Sequence, residues 1–339
     1  MMVVRSRRNR RVGARATRSV DVRASAEYSP KKAFFFPGQG AQSVGMAKEL
    51  CEECPAAKEM FDKASAVLGY DLLDVCVNGP AERLNSTAVS QPAIYVSSLA
   101  ALEAMKMTDE GKAAIDAVDV AAGLSLGEYT ALTFAGALTF EDGLKLVKIR
   151  GESMQEAADA TPSGMASVIG LSAAKAEELA ARAAAESGAP VSVANYLCNG
   201  NYAVSGAIPA IDKVEEIAKP EFKARMVVRL AVAGAFHTDF MAPAADKLKA
   251  ALDATPIQAT RIPVVSNVDV KPHSDADSIR ATLAKQLTNP VQWETSMTTL
   301  LEKGLESATE VGPGKVISGI MKRVDKKFPC DNFFGQEAK

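Results

Sequence analysis

The apolar run Ile115 to Ala122 ends abruptly in Gly123-Leu124-Ser125-Leu126-Gly127, and apolar residues at helical spacing follow at once from Glu128 to Leu138. No other feature constrains the chain so tightly. A serine between strand and helix on so sharp a turn holds strained backbone angles, and side chains two positions to either side have no room, hence the two glycines. The turn presents the hydroxyl at a helix N-terminus, where the dipole favours developing negative charge. A Gly/Ser turn of this kind also serves as a plain helix cap; the flanking strand and helix favour a nucleophile.

A serine hydroxyl needs a base within hydrogen-bond reach, and the chain offers only His237 and His273. His273 lies in the polar, turn-like Val270-Lys-Pro-His-Ser-Asp-Ala-Asp277, whereas His237 follows Gly234-Ala-Phe236, so His237 is the expected base. Acyl transfer further needs donors at the tetrahedral oxyanion. The amide of Leu126 is the natural first donor. The second is expected from Gln39, in the glycine-rich loop Pro37-Gly-Gln-Gly-Ala-Gln42, which lacks the Lys-Ser/Thr of a phosphate-binding P-loop. Arg150 shares a helical pattern, Glu141–Ala160, with apolar Leu146, Val147, Met154 and Ala157 at its spacing. A guanidinium on that face either meets a carboxylate, which satisfies it in bidentate fashion, or snorkels to solvent from the edge of the stripe.

Around these motifs the pattern predicts a strand at Ala33–Phe36, helices over 44–68 and 91–106, and a helix at 141–160 capped by Thr139. The stretch from 163 to 231 reads as strand (Met165–Gly170), helix (Ser172–Ser187), strands (Val191–Tyr196 and Tyr202–Ser205), helix (Pro209–Lys219) and strand (Ala224–Leu230). That β-α-β-β-α-β order is the split βαβ, or ferredoxin-like, unit. Short strands at Ile262–Ser266 and Ala308–Val311 then alternate with helices, as in an α/β core that the insert interrupts. The expected division is a discontinuous large domain, 32–161 and 233–325, and a small domain, 162–232, with a ligand cleft between them.

The first thirty residues stand apart. Eight arginines between Arg5 and Arg23 sit among Ser, Thr, Ala and Val, with acid only at Asp21 and Glu27. Such a start reads as an organelle transit peptide over 1–24, cleaved after Arg23 or Ala24, since Val22-Arg-Ala-Ser25 looks like a stromal processing site. A basic arm for nucleic acid or anionic lipid is the weaker reading. Removal of 1–24 takes the formal charge from −2 to −9. Chloroplast stroma is expected, with the mitochondrial matrix as alternative. No stretch reaches the roughly 18 uninterrupted apolar residues of a membrane span. Five scattered cysteines make no disulfide framework, and Cys51-Glu-Glu-Cys54 has no second C-x-x-C to complete a zinc site, so no metal is expected.

Six motifs carry a resemblance over residues 33–325: Phe36-Pro-Gly-Gln-Gly-Ala-Gln42, Gly123-Leu-Ser-Leu-Gly-Glu-Tyr129, Arg150-Gly-Glu-Ser-Met-Gln155, Gly234-Ala-Phe-His237, Gln286-Leu-Thr-Asn-Pro-Val-Gln292 and Glu310-Val-Gly-Pro-Gly-Lys315. In this order they resemble the malonyl-CoA:acyl carrier protein transacylases and the acyltransferase domains of polyketide and fatty-acid synthases. The resemblance implies a hydrolase-like α/β core with parallel sheet and a ferredoxin-like insert. It implies Ser125 as the acylated serine, His237 as its base, Arg150 as the malonate clamp, and the amides of Gln39 and Leu126 as oxyanion hole. It further implies that Gln286 orients His237 through its main-chain carbonyl, that Met154 and Asn195 line the acyl pocket, and that Phe236 crowds an α-methyl group. Leu124 stands where the family often has His, and Leu197 where many bacterial members have Asn.

The implied partners are malonyl-CoA and the phosphopantetheine arm of acyl carrier protein, with no cofactor, nucleic acid or membrane, and a monomer is expected. The basic run Lys322-Arg323-Val-Asp-Lys326-Lys327 is one candidate docking patch for an acidic carrier. The rival reading is a serine esterase or thioesterase of the α/β-hydrolase type; a non-catalytic carrier-binding scaffold has no use for these side chains together.

Overall fold

A computed structural model describes residues 28–334; the expected transit peptide lies outside them. The described chain is a mixed α/β structure with two sheets. Its strands are β1 (Lys32–Phe36), β2 (Val120–Gly123), β3 (Ser163–Ile169), β4 (Val191–Cys198), β5 (Asn201–Ala207), β6 (Met226–Arg229), β7 (Val264–Val265), β8 (Pro272–His273), β9 (Val291–Gln292), β10 (Ser307–Val311) and β11 (Cys330–Phe333).

The larger sheet runs β11-β10-β1-β2-β7-β8 and is parallel except at its last pair. Its central strands have no wet face. Phe34 and Phe36 join one apolar cluster while Ala33 and Phe35 join another, and Ala121 opposes Val120 and Ala122 in the same way. Burial on both faces is what a parallel sheet with helical cover demands. Register pairs Phe36 with Gly123, so β1 and β2 end side by side and release the Pro37 loop and the Ser125 turn at one edge. Ligands commonly gather outside the carboxyl ends of such strands.

The helix Phe140–Ala160 begins as the sequence predicts: Thr139 caps it by accepting the amide of Asp142 at 3.1 Å. Gly143, Leu146, Val147, Arg150, Met154 and Ala157 form its buried face, which packs on the helix Thr87–Met105, itself buried nearly all round. Gly151 permits the approach, since a Cβ there would stand 2.7 Å from the carbonyl oxygen of Thr87.

The second sheet, β6-β3-β5-β4-β9, is antiparallel among its first four strands. The helices Ala173–Ser187 and Ile208–Ile217 cover one face through Ala166, Val168, Val193 and Val204, while Met165, Ala194 and Ala203 turn the other way and join the main cluster. β9 arrives from the far side of the chain and pairs parallel with β4, Asn195 opposite Val291.

Several expected boundaries need correction. The helix expected over 44–68 is two, Lys48–Glu53 and Pro55–Leu68, because Cys54 is extended and Pro55 can only start a new helix. The strand expected from Ile115 begins at Val120; Thr108 accepts the amide of Gly111 and caps a helix over Asp109–Asp116 instead. The helix after the serine stops at Phe134 rather than Leu138, where Gly136 takes a φ of 85°. The helices Leu72–Asn78 and Ala81–Asn85 were not expected at all. The five cysteines are free and buried. Among the described residues no helix is long and apolar enough to cross a membrane, and no His/Cys/Asp/Glu group is placed to hold a metal.

Candidate active site

Ser125 holds a φ of 54° and His237 a φ of 59°, both in the left-handed region that non-glycine residues avoid. Such strain persists only where surroundings over-determine it, and the surroundings are explicit here. A Cβ on Gly123 would lie 1.9 Å from the carbonyl of Gly127, and one on Gly127 would lie 2.0 Å from the carbonyl oxygen of Phe36. The two glycines thus let helix and strands close on the serine. Asn267 completes the turn by accepting the Ser125 amide at 2.7 Å and donating to the Gly123 carbonyl at 2.8 Å.

Ser125 Oγ lies 2.8 Å from His237 Nε2, and His237 Nδ1 lies 2.9 Å from the main-chain carbonyl of Gln286. A carbonyl only accepts, so Nδ1 carries the proton and Nε2 turns its lone pair to the hydroxyl. Burial and the neighbouring guanidinium of Arg150 hold the imidazole down at about 4, so it is neutral at ordinary pH. His273 takes no part: its Nε2 lies 3.0 Å from Asp269 Oδ2 beside β8.

Arg150 is 1 % exposed, which excludes snorkelling. Its Nη2 donates to Ser125 Oγ at 2.9 Å and to Gln286 Oε1 at 3.1 Å, and its Nη1 donates to Gln91 Oε1 at 2.6 Å. Its Nε is buried with no partner among the described residues, and the face of Tyr129 lies 5.5 Å away. Burial lowers its pKa, yet a guanidinium remains charged. The site therefore contains a buried cation that only neutral groups and one ring touch directly. Such a charge is costly without an anion.

The loop after β1 closes the other side. A Cβ on Gly38 would stand 2.2 Å from the Leu124 carbonyl oxygen, so only glycine lets the loop lie on the serine turn. The Gln39 side chain is tied to Thr87 Oγ1 at 3.4 Å. Among the described residues the amides of Gln39 and Leu126 donate to no acceptor, and both residues line the same cavity of about 260 Å³. Ser125, Arg150, Met154, Asn195, Phe236 and His237 line it too. Asn195 Oδ1 is buried without a partner among the described residues. Of the residues to which the resemblance gives a role at the site, the structure brings all to this cavity except Gln286, which stands behind it.

Sequence reasoning missed three polar residues that set the geometry: Gln91, Glu128 and Asn267. Gln91 accepts from Arg150 and donates to Met154 Sδ at 3.2 Å. Glu128 Oε2 accepts from the Asn267 amide at 3.1 Å and from Gln286 Nε2 at 2.7 Å, and Gln286 Nε2 also reaches the Ser125 carbonyl at 3.0 Å. The available signal was an amide or carboxylate set among apolar neighbours, as at Gln91 in Gln-Pro-Ala-Ile-Tyr-Val96. A neutral base on a serine hydroxyl, two free amides nearby and a buried cation form a site for acyl transfer from a substrate that brings its own anion.

Comparison with known proteins agrees with that chemistry. The acyl transferase domain family matches residues 33–327. The malonyl CoA-acyl carrier protein transacylase of Bacillus subtilis is 41% identical over 297 residues, 88% of this chain and 91% of that protein. A mouse protein named malonyl-CoA-acyl carrier protein transacylase, mitochondrial, is 41% identical over 300 residues, 85% of this chain and 77% of its own. The solved structure of the malonyl CoA-acyl carrier protein transacylase from Coxiella burnetii superposes with a TM-score of 0.84 at 36% identity, covering 91% of this chain and 96% of that one.

Proposed function

The chain belongs to the acyl transferase domain family, and on that premise we propose that it transfers malonyl from malonyl-CoA to the phosphopantetheine thiol of acyl carrier protein through an ester on Ser125, supplying fatty acid synthesis. One observation carries the choice of acyl group: Arg150 is buried, has no anionic group in direct contact among the described residues, and touches the oxygen of Ser125 at 2.9 Å. A short diacid half-thioester suits two groups so close together, its carboxylate on the guanidinium and its thioester carbon at the hydroxyl.

In the first stage Ser125 Oγ attacks the thioester carbon as its proton passes to His237 Nε2, while the amides of Gln39 and Leu126 hold the oxyanion. The carbon–sulfur bond breaks, and CoA leaves with the proton from the imidazole. In the second stage the carrier thiol gives its proton to His237, attacks the serine ester and departs as malonyl-carrier, returning the proton to Ser125. The Gln286 carbonyl keeps the imidazole in the required tautomer. A carboxylate on Arg150 offsets the field that weakens this base, so substrate binding itself strengthens it. Met154 and Asn195 bound the acyl pocket, and Phe236 crowds an α-methyl, worth about 1–3 kcal/mol of discrimination. The reaction written this way needs no metal and no organic cofactor.

The strand order β6-β3-β5-β4 supports reading 162–232 as a ferredoxin-like insert in a hydrolase-like core over 32–161 and 233–325. The arginine-rich segment 1–24 supports import into an organelle; chloroplast stroma is our assignment, and the name of the mouse relative speaks for the mitochondrial alternative. Import of the labelled chain into isolated plastids and mitochondria tests it.

The test of function is intact-protein mass spectrometry after exposure to malonyl-CoA. One malonyl group is expected on the wild type, none on Ser125→Ala, and holo-carrier should remove it as malonyl-carrier. Release as free malonate at the same rate identifies an esterase instead. Failure of the wild type to take up any acyl group overturns the proposal.

A further inference from the structure

Glu128 is a buried carboxylate, 3 % exposed, that the transfer chemistry above does not use. It lies in the first turn of the helix Gly127–Phe134, three residues after the serine. Its Oε2 receives the Asn267 amide and the Gln286 side-chain amide. Each of those residues acts at the site: Asn267 holds the serine turn, while Gln286 accepts from Arg150 with its side-chain oxygen and from His237 with its main-chain oxygen. A carboxylate and a guanidinium thus face each other across one amide group, with no direct ion pair between them.

Resting on the malonyl-transfer reading, we propose that Glu128 is a positioning residue and the standing counter-charge of the empty site. Through the Gln286 side chain it keeps the Arg150 guanidinium and the carbonyl under His237 in place. Its negative charge offsets the buried cation until a substrate carboxylate takes over that role. An amide bridge suits this arrangement: it is polarised from both ends, so it couples the charges without letting them collapse into a pair that would withdraw Arg150 from the cavity. Once malonyl is bound, two anions share one guanidinium, and the protein's own carboxylate works against the substrate's.

Groups that face Glu128 are Arg150 from the helix Phe140–Ala160 and Asp269 from the turn after β7, with Tyr129 beside it on its own helix and His237 beyond Gln286. Burial, opposed by the bonds from Asn267 and Gln286 and by Arg150, pushes its carboxyl up to about 7. The counter-charge is therefore fully present in mild alkali and lost in mild acid, and loss of it frees the field of Arg150 for the substrate.

The experiment compares acylation of Ser125 by malonyl-CoA with that by acetyl-CoA, whose acyl group carries no charge, as the ratio of the two kcat/KM values. In the wild type this ratio should rise about fivefold or more between pH of about 8.5 and about 6, the order of effect expected for one partly screened charge. In Glu128→Gln, which keeps an acceptor oxygen, the ratio at the alkaline pH should already have the acid value, through a lower KM for malonyl-CoA, and should no longer vary with pH. Glu128→Asp, with the charge on a shorter arm, should lose kcat on both donors yet keep the wild-type pH trend. A wild-type ratio flat across this range, or equal losses on both donors in Glu128→Gln, overturns the inference. Absence of malonyl uptake altogether would instead strike the functional reading beneath it.

Discussion

His237 Nδ1 meets a main-chain carbonyl, that of Gln286, 2.9 Å away, where a charged acceptor would have strengthened the base. A carbonyl orients the ring without stabilising an imidazolium as a carboxylate does. Burial first, and the Arg150 guanidinium second, hold the ring down at about 4, against the pull of the carbonyl. The second-order rate of acylation by acetyl-CoA, which reports the free enzyme and brings no carboxylate to Arg150, should therefore hold as pH falls to about 5 and decline only below that, because the neutral imidazole is the working form. A break near 6.5, where an ordinary histidine titrates, would contradict the assignment.

The same shift affects folding. The folded-state value lies below the unfolded one, so the unfolded chain binds the extra proton between them, and the stability that neutral His237 contributes is present above about 6.5 and lost towards 4, about 3 kcal/mol in all. Glu128, raised to about 7, runs the other way: its contribution is full below the ordinary carboxyl range and lost as pH rises through 7. Urea unfolding of His237→Ala, compared with the wild type, should remove the acid-side loss and leave a protein whose stability increases as pH is lowered from about 7 to about 5.

Arg150→Ala removes the only cation that lines the acyl cavity among the described residues. Acylation by malonyl-CoA should fall roughly a hundredfold or more, since a site built around a polar group rejects its loss strongly. Acetyl-CoA should lose far less, so the preference for the diacid collapses. Equal losses on both donors would mean that the guanidinium serves the serine rather than the substrate.

Asn267→Ala leaves the Ser125 amide and the Gly123 carbonyl without their partner. Orphaning such groups costs about 1–3 kcal/mol, and the strained serine is the first residue free to relax. The expected result is a fall in kcat of about tenfold with KM for malonyl-CoA little changed, read from steady-state transfer to carrier.

Two glycine-to-alanine changes should have opposite signs. In Gly127→Ala the new Cβ meets the Phe36 carbonyl oxygen at 2.0 Å, so denaturant melts should show a loss of about 3 kcal/mol or more together with loss of labelling. Gly319 lies inside the helix Val316–Val324 with nothing within 4 Å of its Cβ position. Gly319→Ala should add about 0.5–1 kcal/mol and leave transfer unchanged.

What was legible in the sequence is what local chemistry or scarcity enforces. Ser125 announces itself because its neighbours must be glycine, and His237 because the chain has one other histidine. Arg150 shows as a charge on an apolar helix face, although the pattern alone left its direction open. The strands and helices between 163 and 231 followed from alternating periodicities. Gln91, Glu128 and Asn267 stayed hidden because an amide or carboxylate that bridges buried groups gains its meaning from partners far along the chain. Gln91 lies 59 residues from Arg150, and Glu128 lies 139 residues from Asn267 and 158 from Gln286. The boundaries missed at Cys54 and Ile115 have another cause: apolar helix and apolar strand look alike over a few residues, and only a proline or a cap separates them.

The pairing of Asn195 with Val291 makes the smaller sheet dependent on sequence that lies outside the proposed insert. Excised at its two ends, the segment 162–232 would expose the flank of β4 as a bare row of amide donors and acceptors, the kind of border along which chains stick to one another. An attempt to graft this lobe onto a relative, in order to exchange acyl preference, must therefore carry Val291–Gln292 along with it or inherit a closely matching pair from the host.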